Sequence, residues 1–375
     1  MLPYGRQSVN DDDVAAVCEV LTSDWLTTGP WVRAFEAELA SLAGTPGAVT
    51  VTSGTAALHT AYAALGVGAG HEVITTPLTF VATASVASML GATVVFADIS
   101  DDTGNLDPEA VAAAVNDRTR VVAGVDYAGH PIDAPALRRI TEHRGIALLE
   151  DAAHSVGGSL GGRPVGSLAD VTTFSFFPTK NLTTAEGGAV VAADAGLLER
   201  AATFRNIGMV KDPSRQRHPH EGDWWYEVHD YGVNYRLPDV LAALGSNQLR
   251  RLGAFKARRA EIHRRYDEGL GDLDQLILPA TRTGADPTWH LYPLRIRDGR
   301  RGELFTHLRE NGIGVQVNYI PVYWHPVYAE HGYRRGMCPR AEAYYSQEVS
   351  LPLFPDLRDD DIDRVIELIR GFVSG

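Results

Sequence analysis

One lysine has the surroundings of a residue that carries out covalent chemistry. Of the 34 lysine and arginine residues only three are lysines, at Lys180, Lys211 and Lys256. In most proteins a lysine is simply an exposed surface residue. Here arginine supplies almost all of the positive charge, so that explanation is weaker for each of the three lysines. Lys180 follows three phenylalanines within "FSFFPTKNLTTAEGGAV" (174–190). Unlike arginine, lysine can lose its proton when it is desolvated and can then form a Schiff base with a carbonyl group.

A second stretch is suited to hold an anion. Residues 51–65, "VTSGTAALHTAYAAL", are predicted to form a strand, a tight turn at Ser53 and Gly54, and a helix that begins near Thr55. The N-terminus of a helix behind such a turn presents unpaired backbone N–H groups and the positive end of the helix dipole, which suits a phosphate. Serine and threonine also begin helices that bind no ligand, so this stretch alone fits an ordinary capped helix equally well.

Two strand ends add groups of complementary chemistry. The run "IALLEDAAH" (146–154) is predicted to be a buried strand ending in Glu150 and Asp151, whose side chains point to opposite faces of the sheet. Ligands of open α/β sheets lie beyond the carboxyl ends of strands, where an aspartate could pair with a protonated ring nitrogen. By itself, such an aspartate is more often a cap of the following segment. Ser175, which faces opposite to its phenylalanine neighbours, could bind a phosphate. A phosphate cradle, an acid and an amine are together what pyridoxal 5′-phosphate (PLP) requires.

The elements that position these groups are read from the hydrophobic pattern. Strands are predicted at 48–53, 71–76, 92–99, 119–127, 146–151, 171–177 and 187–193, and helices at 55–65, 79–90, 108–115 and 134–144. This alternation predicts an α/β fold with a mostly parallel sheet covered by helices on both faces. A long polar loop (208–231), one long helix or two (238–270), and a smaller α+β domain are predicted to follow. The chain is therefore divided into an N-terminal segment with the large domain (1–245) and a small C-terminal domain (246–375).

Composition and charge argue against several other classes of protein. The net charge of -13 and the lack of a Lys/Arg-rich run argue against a nucleic-acid-binding protein. No apolar run reaches the roughly 18 residues of a membrane-spanning helix and the first residues do not resemble a signal peptide, so the expected location is the cytoplasm. Cys18 and Cys338 have no spacing typical of a disulfide framework or a zinc site, and no metal is expected. His218 and His220 flank a proline in a polar loop and are predicted to be solvated.

The order of the motifs resembles a known enzyme family over nearly the whole chain. The motifs are "LTTGP", "SGTAAL", "TPLTFVATA", "GNLDPE", "EDAAH", "FSFFPTKNLTTAEGGA", "GVNYRLPDVLAALGSNQL" and "SLPLFP". In this order they resemble the DegT/DnrJ/EryC1/StrS sugar aminotransferases, which are fold-type I, PLP-dependent enzymes acting on sugar nucleotides. "YGRQSV" and "TTPLTFVATA" are most similar to the enzymes that aminate C4 of UDP-4-keto-6-deoxy-N-acetylhexosamine in pseudaminic acid biosynthesis.

The resemblance implies roles for particular residues. Lys180 would form the Schiff base and transfer protons, and Asp151 would pair with the pyridinium nitrogen. The other residues implied to hold the cofactor are Gly54, Thr55 and Ser175 at the phosphate, Phe80 on the ring, His154 beside it, and Asn234 from the partner subunit of a homodimer. Those implied to line the nucleotide-sugar site are Tyr4, Asp24, Trp25, Leu26, Thr27, Asn318 and Tyr319. Family members often carry histidine in place of Phe177, Asn318 and Tyr323, and these departures bear on the sugar and the nucleotide.

The implied reaction moves an amino group from glutamate to a keto group of a nucleotide-linked deoxy sugar, with the cofactor alternating between PLP and its pyridoxamine form (PMP). A 3- or 4-aminotransferase of dTDP-keto sugars is an alternative within the family. A PMP-dependent sugar dehydratase of the same fold is a further alternative, against which Lys180 argues because those relatives have histidine there. The remaining alternative, from another functional class, is a non-catalytic sensor of sugar nucleotides that has kept the fold.

Overall fold

The computed structural model describes residues 1–218 and 221–375. Its strands are β1 (Gly47–Val51), β2 (Glu72–Thr75), β3 (Thr93–Phe96), β4 (Thr119–Val125), β5 (Ala147–Asp151), β6 (Ser159–Leu160), β7 (Arg163–Pro164), β8 (Val171–Ser175), β9 (Gly188–Ala192), β10 (Met209–Val210), β11 (Glu227–Val228), β12 (Leu276–Ile277), β13 (Ala285–Asp286), β14 (Tyr292–Ile296) and β15 (Glu348–Leu351).

The helices fall between and after these strands. They are α1 (Asp11–Leu21), α2 (Pro30–Ala43), α3 (Gly54–Ala64), α4 (Ala82–Met89), α5 (Pro108–Ala114), α6 (Ala134–Thr141), α7 (Ala195–Arg205), α8 (Asp239–Leu270), α9 (Arg301–Glu310), α10 (Pro326–Ala329), α11 (Pro339–Gln347) and α12 (Asp359–Ser374). Short 3-10 turns lie at Tyr127–Gly129, Glu142–Arg144, Pro213–Arg215 and Val322–Trp324.

The central sheet contains all seven strands predicted from the hydrophobic pattern. Its order is β1-β9-β8-β5-β4-β2-β3, and β9 runs antiparallel to both of its neighbours while the other pairs are parallel. The strands are short and rich in Val, Ile, Leu, Ala and Thr, and most of their residues are buried on both faces, as expected for a sheet covered by helices. The predicted mostly parallel α/β fold is confirmed.

Helices cover the sheet on both faces. Alanines of α3 and α4, such as Ala57 and Ala87, share one core with sheet residues such as Ala123. Phe35 of α2 and Leu137 of α6 belong to the core on the opposite face. The predicted helices are all present, although the one expected from residue 79 begins at Ala82. The three residues that precede it remain in the loop after β2, which contributes to the site described below.

The C-terminal part of the chain is built around one long helix. Helix α8 is continuous over 32 residues, and it contacts α1 and α2 as well as α12. The antiparallel sheet β12-β14-β15 and the helices α9, α11 and α12 form the predicted α+β region. The boundary predicted between residues 245 and 246 falls inside α8, and this division into domains remains a prediction.

The predicted loop 208–231 has more structure than expected. Its ends pair as the antiparallel strands β10 and β11. The Glu227 carboxylate also accepts the backbone N–H groups of Arg217 and His218 at 2.8 Å each, which ties the middle of the loop to β11. His218 is exposed, as predicted, whereas His220 lies outside the described residues. In the described part of the chain, no helix has the length and apolar character needed to cross a bilayer.

Candidate active site

A cavity of about 840 Å³ lies between the carboxyl ends of the sheet strands and the C-terminal part of the chain. The predicted site residues that line it are Tyr4, Gly54, Thr55, Phe80, Asp151, His154, Ser175, Lys180, Asn318 and Tyr319. They come from the N-terminal segment, from the last residues of β5 and β8, from the segments that follow β1, β2, β5 and β8, and from the segment before α10. The structure therefore brings most of the predicted site together in one place.

The turn between β1 and α3 forms one end of the cavity. Ser53 caps the helix, its Oγ accepting the N–H of Ala56 at 3.1 Å. The first i to i−4 bond of the helix is donated by Ala57, so the N–H groups of Gly54 and Thr55 have no intrahelical acceptor. A Cβ atom on residue 54 would lie 2.8 Å from Ser175 Oγ, so only glycine allows this approach. Two free amides and a hydroxyl thus belong to neighbouring residues of the cavity lining, a donor set that suits a phosphate.

The adjacent acids at the end of β5 have separate environments. Asp151 lines the cavity, where its Oδ2 accepts the Thr83 hydroxyl at 2.7 Å and its Oδ1 accepts the Ala153 N–H at 3.3 Å. Glu150 lies on the other side of the sheet, where it accepts the Thr172 hydroxyl at 2.9 Å. Burial raises the pKa of Asp151, while the hydrogen bond from Thr83 and the charge of Lys180 oppose that rise. The predicted opposite orientation of the two carboxylates is confirmed.

Lys180 is held in the loop that follows β8. Its backbone N–H donates to the carbonyl oxygen of Phe177 at 2.9 Å, which turns the chain toward the cavity. The residue keeps some solvent exposure because the cavity opens beside it, but its amine is enclosed by protein. Burial lowers the pKa of the amine to about 8, and the nearby charge of Asp151 opposes this shift. Phe174 and Phe177 contribute to the enclosure, whereas Phe176 faces away and packs on Phe35.

Two histidines whose rings are tilted against each other line the cavity. The ring centroids of His154 and His290 are 4.4 Å apart, and His154 Nε2 lies 3.1 Å from the Tyr319 hydroxyl. Burial lowers the pKa of both imidazoles well below the usual value, so both are neutral at physiological pH. His290 was not predicted as a site residue. It precedes β14 in the run "HLYPLRI", where no local motif distinguishes it from other histidines.

A buried acid supports the wall that faces the sheet. The N–H of Asn318 donates to Glu348 Oε2 at 2.8 Å, and its side-chain amide donates to Ser350 Oγ at 3.0 Å. Its carbonyl oxygen accepts the hydroxyl of Tyr127 at 2.5 Å. Burial raises the pKa of Glu348 to about 8, against the opposing hydrogen bond from Ser350. Sequence reasoning missed Glu348 and Tyr127, and the one available signal was a glutamate directly before the apolar run "VSLPLF" (349–354).

Five predicted site residues do not line the cavity of their own chain. They are Asp24, Trp25, Leu26, Thr27 and Asn234. The first four precede α2, where the turn is fixed by Asp239, whose carboxylate accepts the N–H of Gly29 at 2.7 Å. Trp25 is 52% exposed, and Asn234 is exposed beside its bridge partner Asn206. Their roles remain predictions, because within one chain these side chains are at the surface.

The comparisons with known proteins agree with this geometry. A sequence model of the DegT/DnrJ/EryC1/StrS aminotransferase family matches residues 7–370. The chain belongs to this family. The spore coat polysaccharide biosynthesis protein SpsC of Bacillus subtilis (strain 168) is 41% identical to the aminotransferase over 380 residues, which cover 100% of this chain and 97% of that protein.

Solved structures of related proteins superpose on the aminotransferase over its full length. Spr1654 from Streptococcus pneumoniae in its PMP form has a TM-score of 0.94 at 29% identity, with 100% of this chain and 99% of that chain covered. PseC of Helicobacter pylori, an aminotransferase involved in the biosynthesis of pseudoaminic acid, has a TM-score of 0.93 at 31% identity, with both chains fully covered. The protein is a PLP-dependent sugar aminotransferase.

The residues present fit this cofactor. The amides of Gly54 and Thr55 and the Ser175 hydroxyl offer donors for a phosphate, and the close contact at Gly54 leaves no room for a side chain there. The carboxylate of Asp151 faces the same cavity as the amine of Lys180, whose lowered pKa makes it available as a nucleophile. A phosphate donor set, a carboxylate and a partly deprotonated amine around one cavity match the three polar ends of PLP.

Proposed function

We propose that the aminotransferase moves the amino group of glutamate to the C4 keto group of UDP-4-keto-6-deoxy-N-acetylhexosamine. The observation that carries the proposal is that Lys180 and Asp151 line one cavity of about 840 Å³, which Asn318 and Tyr319 also line. Such a volume accommodates a cofactor together with a hexose ring. The full-length similarity to PseC supports this sugar, and the similarity to SpsC supports a role in making a surface glycan.

Each residue of the cavity would have a defined task. When bound, PLP supplies a carbonyl that binds substrate amines and a ring that acts as an electron sink. Lys180, with a pKa of about 8, has a neutral fraction at physiological pH that can take a proton from the carbon next to the donor nitrogen and deliver it again. Asp151, held by Thr83 and Ala153, would accept a hydrogen bond from a ring N–H. The amides of Gly54 and Thr55 would bind the phosphate.

The proposed assembly is a homodimer in which each cavity is completed by the partner subunit. Asn234 is exposed and outside the cavity of its own chain, so it is available to a second copy. Among the described residues that line the cavity none is an arginine, although a nucleotide diphosphate calls for cations. The loop 208–231, which precedes Asn234, carries Lys211, Arg215 and Arg217 and is proposed to supply them across the interface.

The substrate proposal is tested by supplying glutamate with a panel of nucleotide-linked keto sugars. The panel contains UDP- and dTDP-linked 3-keto and 4-keto deoxy sugars, and products are identified by mass and by the release of 2-oxoglutarate. Amination of the UDP-4-keto-6-deoxy-N-acetylhexosamine with the highest kcat/KM is expected. Preferential turnover of a dTDP-linked sugar would assign the enzyme to that branch of the family instead. If glutamate did not bleach the bound PLP, a sensor would be the better assignment.

The shared site is tested by mixing two inactive variants, Lys180→Ala and Asn234→Ala, and allowing subunits to exchange. A mixed dimer contains one cavity with Lys180 from one chain and Asn234 from the other, so activity is expected to return to about a quarter of the wild-type level with equal amounts of both chains. Exchange is monitored independently by a mass tag on one variant. If the tagged dimers form but no activity returns, the cavity does not borrow Asn234.

A further inference from the structure

Two buried threonines form a chain of hydrogen bonds that ends on the carboxylate of Asp151. The Thr83 hydroxyl donates to Asp151 Oδ2 at 2.7 Å, while the carbonyl oxygen of Phe80, the other acceptor near that hydroxyl, is 3.4 Å away. The hydroxyl of Thr79 lies 3.0 Å from that of Thr83, and both residues are at most 2% exposed. Because a hydroxyl has a single proton and Thr83 gives its proton to Asp151, Thr79 must donate to Thr83.

The segment that carries the two threonines is anchored to a neighbouring helix and also faces the cavity. Thr83 lies in the first turn of α4, and its carbonyl oxygen accepts the hydroxyl of the fully buried Tyr62 of α3 at 2.9 Å. Phe80 lies between the two threonines in sequence, lines the cavity and is 58% exposed. One five-residue segment therefore carries the residue expected to stack on the cofactor ring and the donors to Asp151.

Both oxygens of Asp151 face hydrogen-bond donors. Thr83 donates to Oδ2, and the N–H of Ala153 donates to Oδ1 at 3.3 Å. Burial raises the pKa of Asp151, and the Thr83 hydrogen bond is the strongest of the influences that oppose this rise, ahead of the Ala153 N–H and the charge of Lys180. Donors stabilise the ionised form of an acid, which can then accept a hydrogen bond from a further N–H group.

We propose that Thr83 is a positioning residue that orients the Asp151 carboxylate toward the ring nitrogen of PLP and, with Thr79 as its own donor, favours the ionised carboxylate over the neutral acid. The inference rests on the role proposed above for Asp151. A carboxylate that already accepts a hydrogen bond is a weaker base, so the proton it shares with the ring nitrogen stays on the ring. The protonated ring is the better electron sink.

Other titratable groups surround Asp151, and they leave Thr83 as the main control on its ionisation. Those that are buried are Asp126 directly after β4, His154 after β5, Tyr62 of α3 and Tyr319 before α10. Burial favours the uncharged form of each, since it raises the pKa of the acid and of the two phenols and lowers that of the imidazole. Glu186 also lines the cavity but is exposed, so solvent screens its charge. The charge of Lys180 lowers the pKa of Asp151 less than the Thr83 hydrogen bond does.

A cofactor analogue without the ring nitrogen isolates this role. The full-length enzyme, freed of cofactor, is titrated with PLP and with its deaza analogue, in which a C–H group replaces the ring nitrogen. The ratio of the two dissociation constants reports the interaction at the ring nitrogen, because a general change in the cavity weakens both ligands alike. The variants are Thr83→Val, which removes the hydroxyl with little change in size, and Thr83→Ser, which keeps a hydroxyl.

Thr172→Val is the matched control, because the Thr172 hydroxyl donates to Glu150 Oε2 at 2.9 Å on the opposite face of the sheet. The wild type and Thr172→Val should prefer PLP over the analogue by the same factor, within about twofold. In Thr83→Val this preference is expected to fall about 3- to 10-fold, the effect of one hydrogen bond, whereas Thr83→Ser should keep it. Thr79→Val, which removes the second donor of the chain, should lower the preference by about twofold.

A second measurement follows the shared proton directly. With isotope-labelled PLP bound, the nitrogen NMR resonance of the ring should move toward that of an unprotonated ring in Thr83→Val and stay unchanged in Thr172→Val. If Thr83→Val does not fold, Thr83→Ala gives the same two comparisons.

Asp151→Asn separates this inference from the role on which it rests. If Asp151→Asn keeps the wild-type preference for PLP, both roles are overturned. If Asp151→Asn loses the preference but folded Thr83→Val keeps it, the role of Thr83 is overturned and that of Asp151 stands. An equal loss of affinity for both ligands in Thr83→Val would also overturn the role of Thr83, because the hydroxyl would then support only the fold. No sugar enters these measurements, so a wrong sugar substrate leaves them intact.

Discussion

The two sides of the cavity are positioned by different forces. The strand wall consists of Gly54, Asp151, Ser175 and Lys180, which lie at or just after the carboxyl ends of β1, β5 and β8. The C-terminal wall consists of His290, Asn318 and Tyr319, which belong to segments without regular structure around β14 and β15. In the first, neighbouring strands of one sheet bring the side chains together. In the C-terminal wall, individual hydrogen bonds to buried side chains such as Glu348 hold the backbone in place.

This difference separates the chemistry of the enzyme from its choice of substrate. Strand ends in a sheet are about 5 Å apart and are held by the backbone ladder, so the strand wall changes little when individual side chains change. The C-terminal wall depends on particular residues, since Asn318 is bonded at its N–H, its side chain and its carbonyl oxygen to three different side chains. We expect substitutions in the strand wall to abolish the reaction and substitutions in the C-terminal wall to change recognition of the sugar.

The largest effect is expected for Lys180→Ala, which removes the nucleophile and proton carrier of the strand wall. Transamination should fall by several orders of magnitude, at least about 1,000-fold, because no other lysine lines the cavity in the described residues. Borohydride reduction of the wild-type enzyme should attach the cofactor to Lys180 alone, as read by peptide mass. Lys211→Ala serves as the control and should keep full activity. An adduct on Lys211 or Lys256 would refute the assignment.

A smaller loss is expected for Asp151→Asn, and Glu150→Gln is its matched control. Loss of a hydrogen bond to a charged group removes about 1.5–3 kcal/mol, which corresponds to about 10- to 100-fold in rate. Glu150 accepts hydrogen bonds from Thr172 and the Gly166 N–H away from the cavity, and a glutamine can accept one of these. The rate of Glu150→Gln should therefore change by less than about threefold. Equal losses of rate in the two variants would show that the effect does not depend on which carboxylate faces the cavity.

In the C-terminal wall, Asn318→Ala is expected to affect the sugar and not the donor. Removal of one neutral hydrogen-bonding group should raise the KM for the keto sugar by about 2- to 10-fold. The rate at which glutamate alone bleaches the bound cofactor should stay within about twofold, since that half-reaction does not use the sugar site. Rapid-mixing absorbance with each substrate separately distinguishes the two. Parallel losses in both half-reactions would place Asn318 with the strand wall.

The last prediction concerns stability, where no loss of activity is expected, and it addresses the C-terminal wall. Glu348 has a folded-state pKa raised to about 8 by burial, from an ordinary value of 4.5, so its contribution is complete below 4.5 and is lost as pH rises through 8. Between pH 6 and pH 9 the wild-type free energy of unfolding should fall by about 1–3 kcal/mol more than that of Glu348→Gln. Urea unfolding at fixed protein concentration measures this. An equal fall in both proteins would mean that Glu348 is not the titrating group.

The sequence by itself determined the strand wall, because the strands and the directions of their side chains can be predicted from neighbouring residues alone. A run of buried β-branched residues predicts each strand, and the alternation of side chains places Asp151 and Glu150 on opposite faces without any knowledge of the neighbours. Since the carboxyl ends of parallel strands meet at one edge, Gly54, Asp151 and Ser175 could be expected near Lys180. The family resemblance then added Tyr4, Phe80, His154, Asn318 and Tyr319, all of which line the cavity.

The remaining positions were decided by tertiary packing. Helix α8 carries many arginines, and its periodicity does not reveal that Arg259 is buried while Arg264 is paired with Glu268 at the surface. Glu348 and Arg259 are buried because the carbonyl and N–H groups of distant loops need partners, and those loops meet only in the folded chain. Local patterns specify which face of an element is apolar. Which polar group is enclosed with which backbone segment depends on contacts between residues far apart in sequence, such as Arg259 with Lys180 and Leu353.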